Sequence, residues 1–137
     1  MVKTALLFAG QGSQFVGMGQ DLAKTHSTAQ KFFSQADEVL GYSLSEICFS
    51  GPEEDLVRTE HAQPAIYLVG WIAFQLLREQ VSSFTFDATA GLSLGEFTSL
   101  AAAETIGFED GLLLVRRRGE LMQEACEETS GGMAAIV

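Results

Sequence analysis

The sequence predicts an α/β fold, and three observations predict it. A short apolar run, Thr4-Ala-Leu-Leu-Phe8, is closed by Gly10 and suits a buried parallel strand. A second strand-like run, Thr85-Phe-Asp-Ala-Thr-Ala90, leads directly into Gly91-Leu-Ser-Leu-Gly95. Between and after these runs, apolar residues recur at helical spacing, and strands alternating with helices favour a sheet covered by helices.

Taken in order, the strand at Thr4–Phe8 opens into a glycine-rich loop from Ala9 to Gly19. Ser27 to Leu40 carries Phe32, Phe33, Ala36, Val39 and Leu40 on one helical stripe, with Gly41 placed to end it in the left-handed conformation. Ser43-Leu-Ser-Glu46 has the form of a capping box, in which serine and glutamate would satisfy each other's free backbone donors, and opens a short helix that Gly51-Pro52 ends. Gly51-Pro52-Glu-Glu-Asp-Leu56 reads as a further helix start, with proline and carboxylates in the first turn. Ala62 to Gln80 is apolar on nearly every side, as a helix buried among other elements is. Leu94 to Glu104 and Glu109 to Glu127 read as helices, and Gly132-Met-Ala-Ala-Ile-Val137 as a third strand. Three strands make a thin sheet for so much apolar helix, so the chain reads as unfinished.

With 137 residues, 47% of them hydrophobic and 19% charged, the chain is neither disordered nor collagen-like and can bury one core. The formal net charge of −10 argues against nucleic acid, because duplex binding needs basic side chains to replace counterions. The longest mostly apolar run, Pro64 to Leu77, is interrupted by Gln75 and closed by Arg78. It is shorter than the roughly 18 residues a membrane span requires, and reads as a buried helix. Cys48 and Cys126 show neither CxxC pairing nor metal-ligand spacing, and Met1-Val2-Lys3 shows no signal peptide. A reduced, soluble, cytoplasmic protein without a metal is the expectation.

One motif carries chemistry. Gly91-Leu92-Ser93-Leu94-Gly95 matches G-x-S-x-G, the nucleophile elbow, in which a strained strand-to-helix turn lifts a serine hydroxyl clear of the sheet. Ser93 and the backbone N–H of Leu94 would then lie at a helix N-terminus, where donors and the dipole favour a developing oxyanion. A second donor would come from another loop, and Gly10-Gln11-Gly12-Ser13-Gln14 is the candidate. No Gly-Lys-Ser/Thr closes that loop, so it is not a phosphate-binding Walker loop. Arg116, Arg117 and Arg118 are consecutive on one helix and point about 100° apart, so they cannot all face one site. On spacing alone such a run is more often a solvated face, here paired with Glu120 and Glu124.

Gly10-Gln-Gly-Ser-Gln14 after a first strand, Gln63-Pro64-Ala65 in an apolar helix, Gly91-x-Ser-x-Gly-Glu96, Arg118-Gly119 and Gly132-Met-Ala-Ala135 come in one order. Together, over the whole chain, they resemble malonyl-CoA:acyl-carrier-protein transacylases. The resemblance implies an α/β-hydrolase-like large domain into which a small ferredoxin-like subdomain is inserted. Residues 1–130 would be part of the large domain and 131–137 the first strand of the small one. It implies transfer of a malonyl group from malonyl-CoA to the phosphopantetheine thiol of acyl carrier protein, in fatty acid biosynthesis, with no cofactor. Ser93 would be the nucleophile, and the Gln11 and Leu94 N–H groups the oxyanion hole. Arg118 would bind the malonyl carboxylate and Gln63 would line the active site. A planar guanidinium can hold a carboxylate through two parallel hydrogen bonds, which agrees with the arginine's implied role.

Two positions depart from the family pattern. Leu92 stands where the family usually has histidine, which removes a polar group beside the serine but not the backbone donors. The family's catalytic histidine lies further along the chain than Val137, and neither His26 nor His61 matches it. His26 reads as a solvated residue near a helix N-terminus and His61 as part of a loop approaching a helix. Two other functions share the elbow: a serine esterase or thioesterase, and a catalytically incomplete chain that acts only by interaction. A hydrolase of neutral esters has no need of a buried cation, so Arg118 separates the first from a malonyl transferase. A serine without a base is a poor nucleophile, so these 137 residues alone are expected to transfer little malonyl and to associate.

Overall fold

The computed structural model describes residues 3–129. β1 (Ala5–Phe8) is followed by α1 (Gln20–Thr25), α2 (Ser27–Leu40), α3 (Leu44–Ser50), α4 (Glu53–Leu56) and α5 (Thr59–Gln80). Then come β2 (Ala88–Gly91), α6 (Gly95–Ala102) and α7 (Phe108–Thr129). The two strands pair in parallel, with Ala5 opposite Ala88 and Phe8 opposite Gly91. This is a helix-rich α/β arrangement around a small parallel sheet. The third strand expected at Gly132–Val137 lies outside the described residues.

The helix α5 is the centre of the molecule. Eleven of its residues are buried, among them Ala65, Tyr67, Leu68 and Ile72, and it packs against α2, α3, α4, α6 and most extensively α7. That accounts for its weak amphipathicity, since a helix covered on nearly all sides needs no polar face. It starts three residues before the expected Ala62, because the Arg58 carbonyl accepts the N–H groups of His61 and Ala62 at 2.9 and 2.8 Å. Pro64 therefore sits beyond the first turn, where its missing N–H leaves the Glu60 carbonyl without its helical donor. The partner helix comes closest at this turn. A Cβ on Gly119 of α7 would lie 2.5 Å from the Thr59 oxygen and 2.9 Å from Glu60 Cα, so glycine permits the approach. Phe32, Trp71, Phe74 and Phe108 join α2, α5 and α7 through edge-on and stacked ring contacts.

Two local expectations are corrected, and one short helix goes unforeseen. The strand at β1 was expected to be buried, yet exposed and half-buried residues alternate along it and Leu7 is 80% exposed. α6 packs against both strands and Phe74 of α5 meets Phe8 edge-on, and among the described residues nothing covers the side to which Leu7 points. The capping box at Ser43–Glu46 does not form. Instead Asp37 of α2 accepts the Ser45 N–H at 2.9 Å and the hydroxyls of Ser43 and Ser45, so a neighbouring helix caps α3. The short α1, with no buried residue of its own, had no apolar stripe by which to be seen. Among the described residues no helix is long and apolar enough to cross a membrane.

Candidate active site

The glycines around Ser93 decide its geometry. A Cβ on Gly91 would strike the Gly95 carbonyl, and one on Gly95 would strike the Phe8 oxygen. Only with both positions bare can the end of β2, the start of α6 and the end of β1 meet at one point. The Leu92 N–H extends the sheet by donating to the Phe8 carbonyl at 3.2 Å. The chain then reverses at Ser93, whose φ of 54° places a non-glycine residue in the left-handed region. Leu94 already has helical dihedrals, and its side chain is wholly buried in the core. Ser93 thus stands exposed on a sharp turn whose two flanks are anchored.

The Gly10–Gln14 loop lies against this turn. A Cβ on Gly10 would meet the Leu92 carbonyl oxygen. The loop is held by its own side chains: Ser13 Oγ donates to the Gly10 carbonyl and the Gly12 N–H to Gln14 Oε1, each at 2.8 Å. Gln11 Nε2 reaches Thr59 Oγ1 at 3.4 Å, tying the loop to the start of α5. The Thr59 N–H in turn donates to Gln123 Oε1 of α7 at 3.3 Å.

The three arginines separate as their helical positions require. Arg116 donates to Glu120 and to the Leu40 carbonyl, and lies over the Tyr42 ring. Arg117 is exposed and pairs with Glu120 and Glu124, as the solvated-face reading expects. Hydrogen bonds first from Arg117 and then from Arg116 hold the Glu120 carboxyl below the usual range. Arg118 alone turns to the serine. Its Nη2 donates to Ser93 Oγ at 2.8 Å, its Nη1 to Gln63 Oε1 at 2.7 Å, and its guanidinium lies 5.8 Å from the centre of the Phe97 ring. Gln63 is fully buried, and its Nε2 donates to Met122 Sδ at 3.0 Å.

The five residues singled out from the sequence are therefore not scattered. Ser93, Arg118 and Gln63 form one hydrogen-bonded chain, Leu94 follows Ser93 at the start of α6, and Gln11 lies in the loop whose Gly10 meets Leu92. The histidines are elsewhere. His61 is not in a loop but in the first turn of α5, where its Nδ1 is 2.8 Å from the Asp55 carbonyl and its ring packs on Tyr42. His26 is the half-buried residue preceding α2. Among the described residues, the group that meets Ser93 Oγ is Arg118 and no histidine does. Sequence reasoning missed Met122, Phe97 and Thr59. Only the first had a signal, for Met122 stands four residues after Arg118 on the same face of α7.

Comparison with known proteins shows the family. Residues 5–137 match the family described as the acyl transferase domain. The chain is 44% identical over 137 residues to a malonyl CoA-acyl carrier protein transacylase of Bacillus subtilis, covering 100% of this chain and 43% of that protein. A protein of the same description from Synechocystis is 46% identical over 136 residues, covering 99% of this chain and 44% of that one. Among solved structures, a malonyl-transacylase in complex with its type II polyketide acyl-carrier protein superposes with a TM-score of 0.85 at 39% identity, over 90% of this chain and 40% of that chain. The chain thus spans less than half the length of the relatives it matches.

Proposed function

This chain belongs to the acyl transferase family, and from that premise we propose that it carries the nucleophile and the acid-binding arginine of a malonyl-CoA:acyl-carrier-protein transacylase. The observation that supports the reading most is Arg118, which donates to the Ser93 hydroxyl at 2.8 Å while fully buried Gln63 holds its other nitrogen. A malonyl group bound as an ester of Ser93 has its free carboxylate only one methylene beyond the ester carbonyl, within reach of a guanidinium so placed. An acyl group without that carboxylate would leave the cation unpaired.

The turn at Ser93 acts as a nucleophile elbow in this reading. Ser93 Oγ attacks the thioester carbonyl carbon and gives its proton to a base. The tetrahedral oxyanion is held by the Leu94 and Gln11 backbone N–H groups, the first at the positive end of α6. The carbon–sulfur bond then breaks, and the coenzyme A thiol leaves with the proton. In the second half, the phosphopantetheine thiol of acyl carrier protein attacks the malonyl-serine ester, and Ser93 recovers its proton. Arg118 binds the carboxylate in both halves and Gln63 orients Arg118. In this reading the chain itself carries no metal or cofactor, and the phosphopantetheine belongs to the carrier protein. The base is assigned to neither His26 nor His61 but to the family's histidine further along than Val137, and the 137 residues alone are therefore expected to turn over little malonyl. The same reading makes residues 1–130 part of the large domain, 131–137 the first strand of a ferredoxin-like subdomain, and the protein cytoplasmic.

Mass mapping of the protein after exposure to malonyl-CoA tests the assignment. One malonyl ester is expected, on Ser93, and Ser93→Ala should abolish it while leaving the fold unchanged. A malonyl group mapped to another residue, or an adduct that survives Ser93→Ala, overturns it.

A further inference from the structure

We infer that Met122 is a positioning residue for malonyl selection: its thioether fixes the Gln63 amide so that the carbonyl oxygen, and not the NH2, faces Arg118. The inference rests on the malonyl-transferase reading for its functional consequence, but its structural part stands on the contacts alone.

A buried amide can be turned by 180° with almost no change of shape, so something must decide its orientation. Gln63 is wholly buried and its two ends face different groups. One end meets the Arg118 guanidinium at 2.7 Å. Guanidinium only donates, so that end must be the oxygen. The NH2 then faces α7 and needs an acceptor there, because a buried donor without a partner is destabilising. The atom opposite is Met122 Sδ, at 3.0 Å from Nε2. A thioether is a weak acceptor and cannot donate, so it tolerates the NH2 and offers nothing to reward the flipped amide. Both ends of the amide therefore agree on one orientation. Arg118 and Met122 stand one helical turn apart on α7, so the helix presents the cation and the amide's second anchor as one unit. Leucine at 122 would fill nearly the same volume without the acceptor. The NH2 would then be unpaired, and the amide and the arginine fork would sample other positions. Malonyl, which needs the fork, would suffer; an acyl group without a carboxylate would not.

Two measurements on Met122→Leu and Met122→Gln test this in the protein that carries the chain. The first is the nitrogen-edited NMR signal of the Gln63 NH2 group, assigned through its loss in Gln63→Glu. Met122→Leu should move this pair of signals and speed its exchange with water, and Met122→Gln, whose amide oxygen is an acceptor, should restore the slow exchange. The second is the rate of Ser93 acylation by malonyl-CoA and by acetyl-CoA. Met122→Leu should slow malonyl acylation about threefold, the size of one weak hydrogen bond lost, with acetyl acylation unchanged, and Met122→Gln should recover most of the loss. An NH2 signal indifferent to Met122→Leu overturns the inference whatever the enzyme does, and so does an equal loss for both acyl groups. If the signal moves as expected but unaltered protein does not favour malonyl over acetyl, the orientation stands and the malonyl-transferase reading fails.

Discussion

Each of the three residues in the hydrogen-bonded chain at the site does work that its neighbours in sequence cannot. Arg116, Arg117 and Arg118 are chemically identical, yet only Arg118 lies on the face of α7 that looks at Ser93; the others are spent on Glu120, Glu124, Tyr42 and the Leu40 carbonyl. Helical geometry excluded the possibility that all three face the site, but the choice among them came from the family resemblance, because a residue pattern does not say which face a helix turns inward. Ser93 was more legible, since the glycines two positions either side are required by contacts that any side chain would break. Met122 was less so, because a thioether serving a buried amide looks like any other apolar residue in a helix. If Arg118 selects the substrate through its charge, Arg118→Ala should slow acylation of Ser93 by malonyl-CoA about a hundredfold, equivalent to about 3 kcal/mol, and leave acylation by acetyl-CoA within about threefold. Comparing the two acylation rates in the same variant checks this, and equal losses would make the arginine structural.

At the scale of elements, the contact between α5 and α7 sets the distance between Gln63 and Arg118, and Gly119 sets the contact. It stands beside Arg118, and its missing side chain lets the Thr59 oxygen and the Glu60 Cα approach. Gly119→Ala adds a methyl group to a place occupied by backbone, which cannot rotate away, so α7 must move outward. A loss of about 1–3 kcal/mol is expected, with a lower midpoint in urea and slower acylation of Ser93. A variant as stable as the unaltered protein would show that the helices have room to spare. Long helices were the most readable elements, since α2 and α7 declare themselves by periodicity and α5 by an apolar run over many turns. The short ones were not. The α1 segment is held by its place next to α2, and α3 takes its cap from Asp37 in another helix, which no local pattern announces.

For the whole molecule, burial of ionisable groups ties stability to pH. Burial pushes the Cys48 thiol up from 9.0 to about 12 and the Tyr42 hydroxyl from 10.0 to about 12, and it moves Tyr67 in the same direction. In each case the folded state favours the neutral form, so these groups hold their protons more tightly folded than unfolded. Their contribution is fully present below about pH 9 and is lost as pH rises through about 12. Denaturation midpoints should hold steady up to about pH 9 and fall steeply above it, and Cys48→Ala should soften that fall. A midpoint independent of pH over this range would contradict the burial of these groups. That β1 is a parallel strand was legible in its apolar run, whereas its partner and its exposed side were not, because sequence marks a strand as apolar without saying what covers it. The proposed function turns on a covalent malonyl-serine that hands its acyl group to a thiol. The most direct test is to form the adduct with malonyl-CoA, remove all coenzyme A, and add acyl carrier protein bearing its phosphopantetheine. The account predicts that the malonyl group leaves Ser93 and appears on the carrier thiol, faster than water removes it. An adduct that only hydrolyses, with the carrier left unloaded, would contradict the account and mark the protein as a hydrolase.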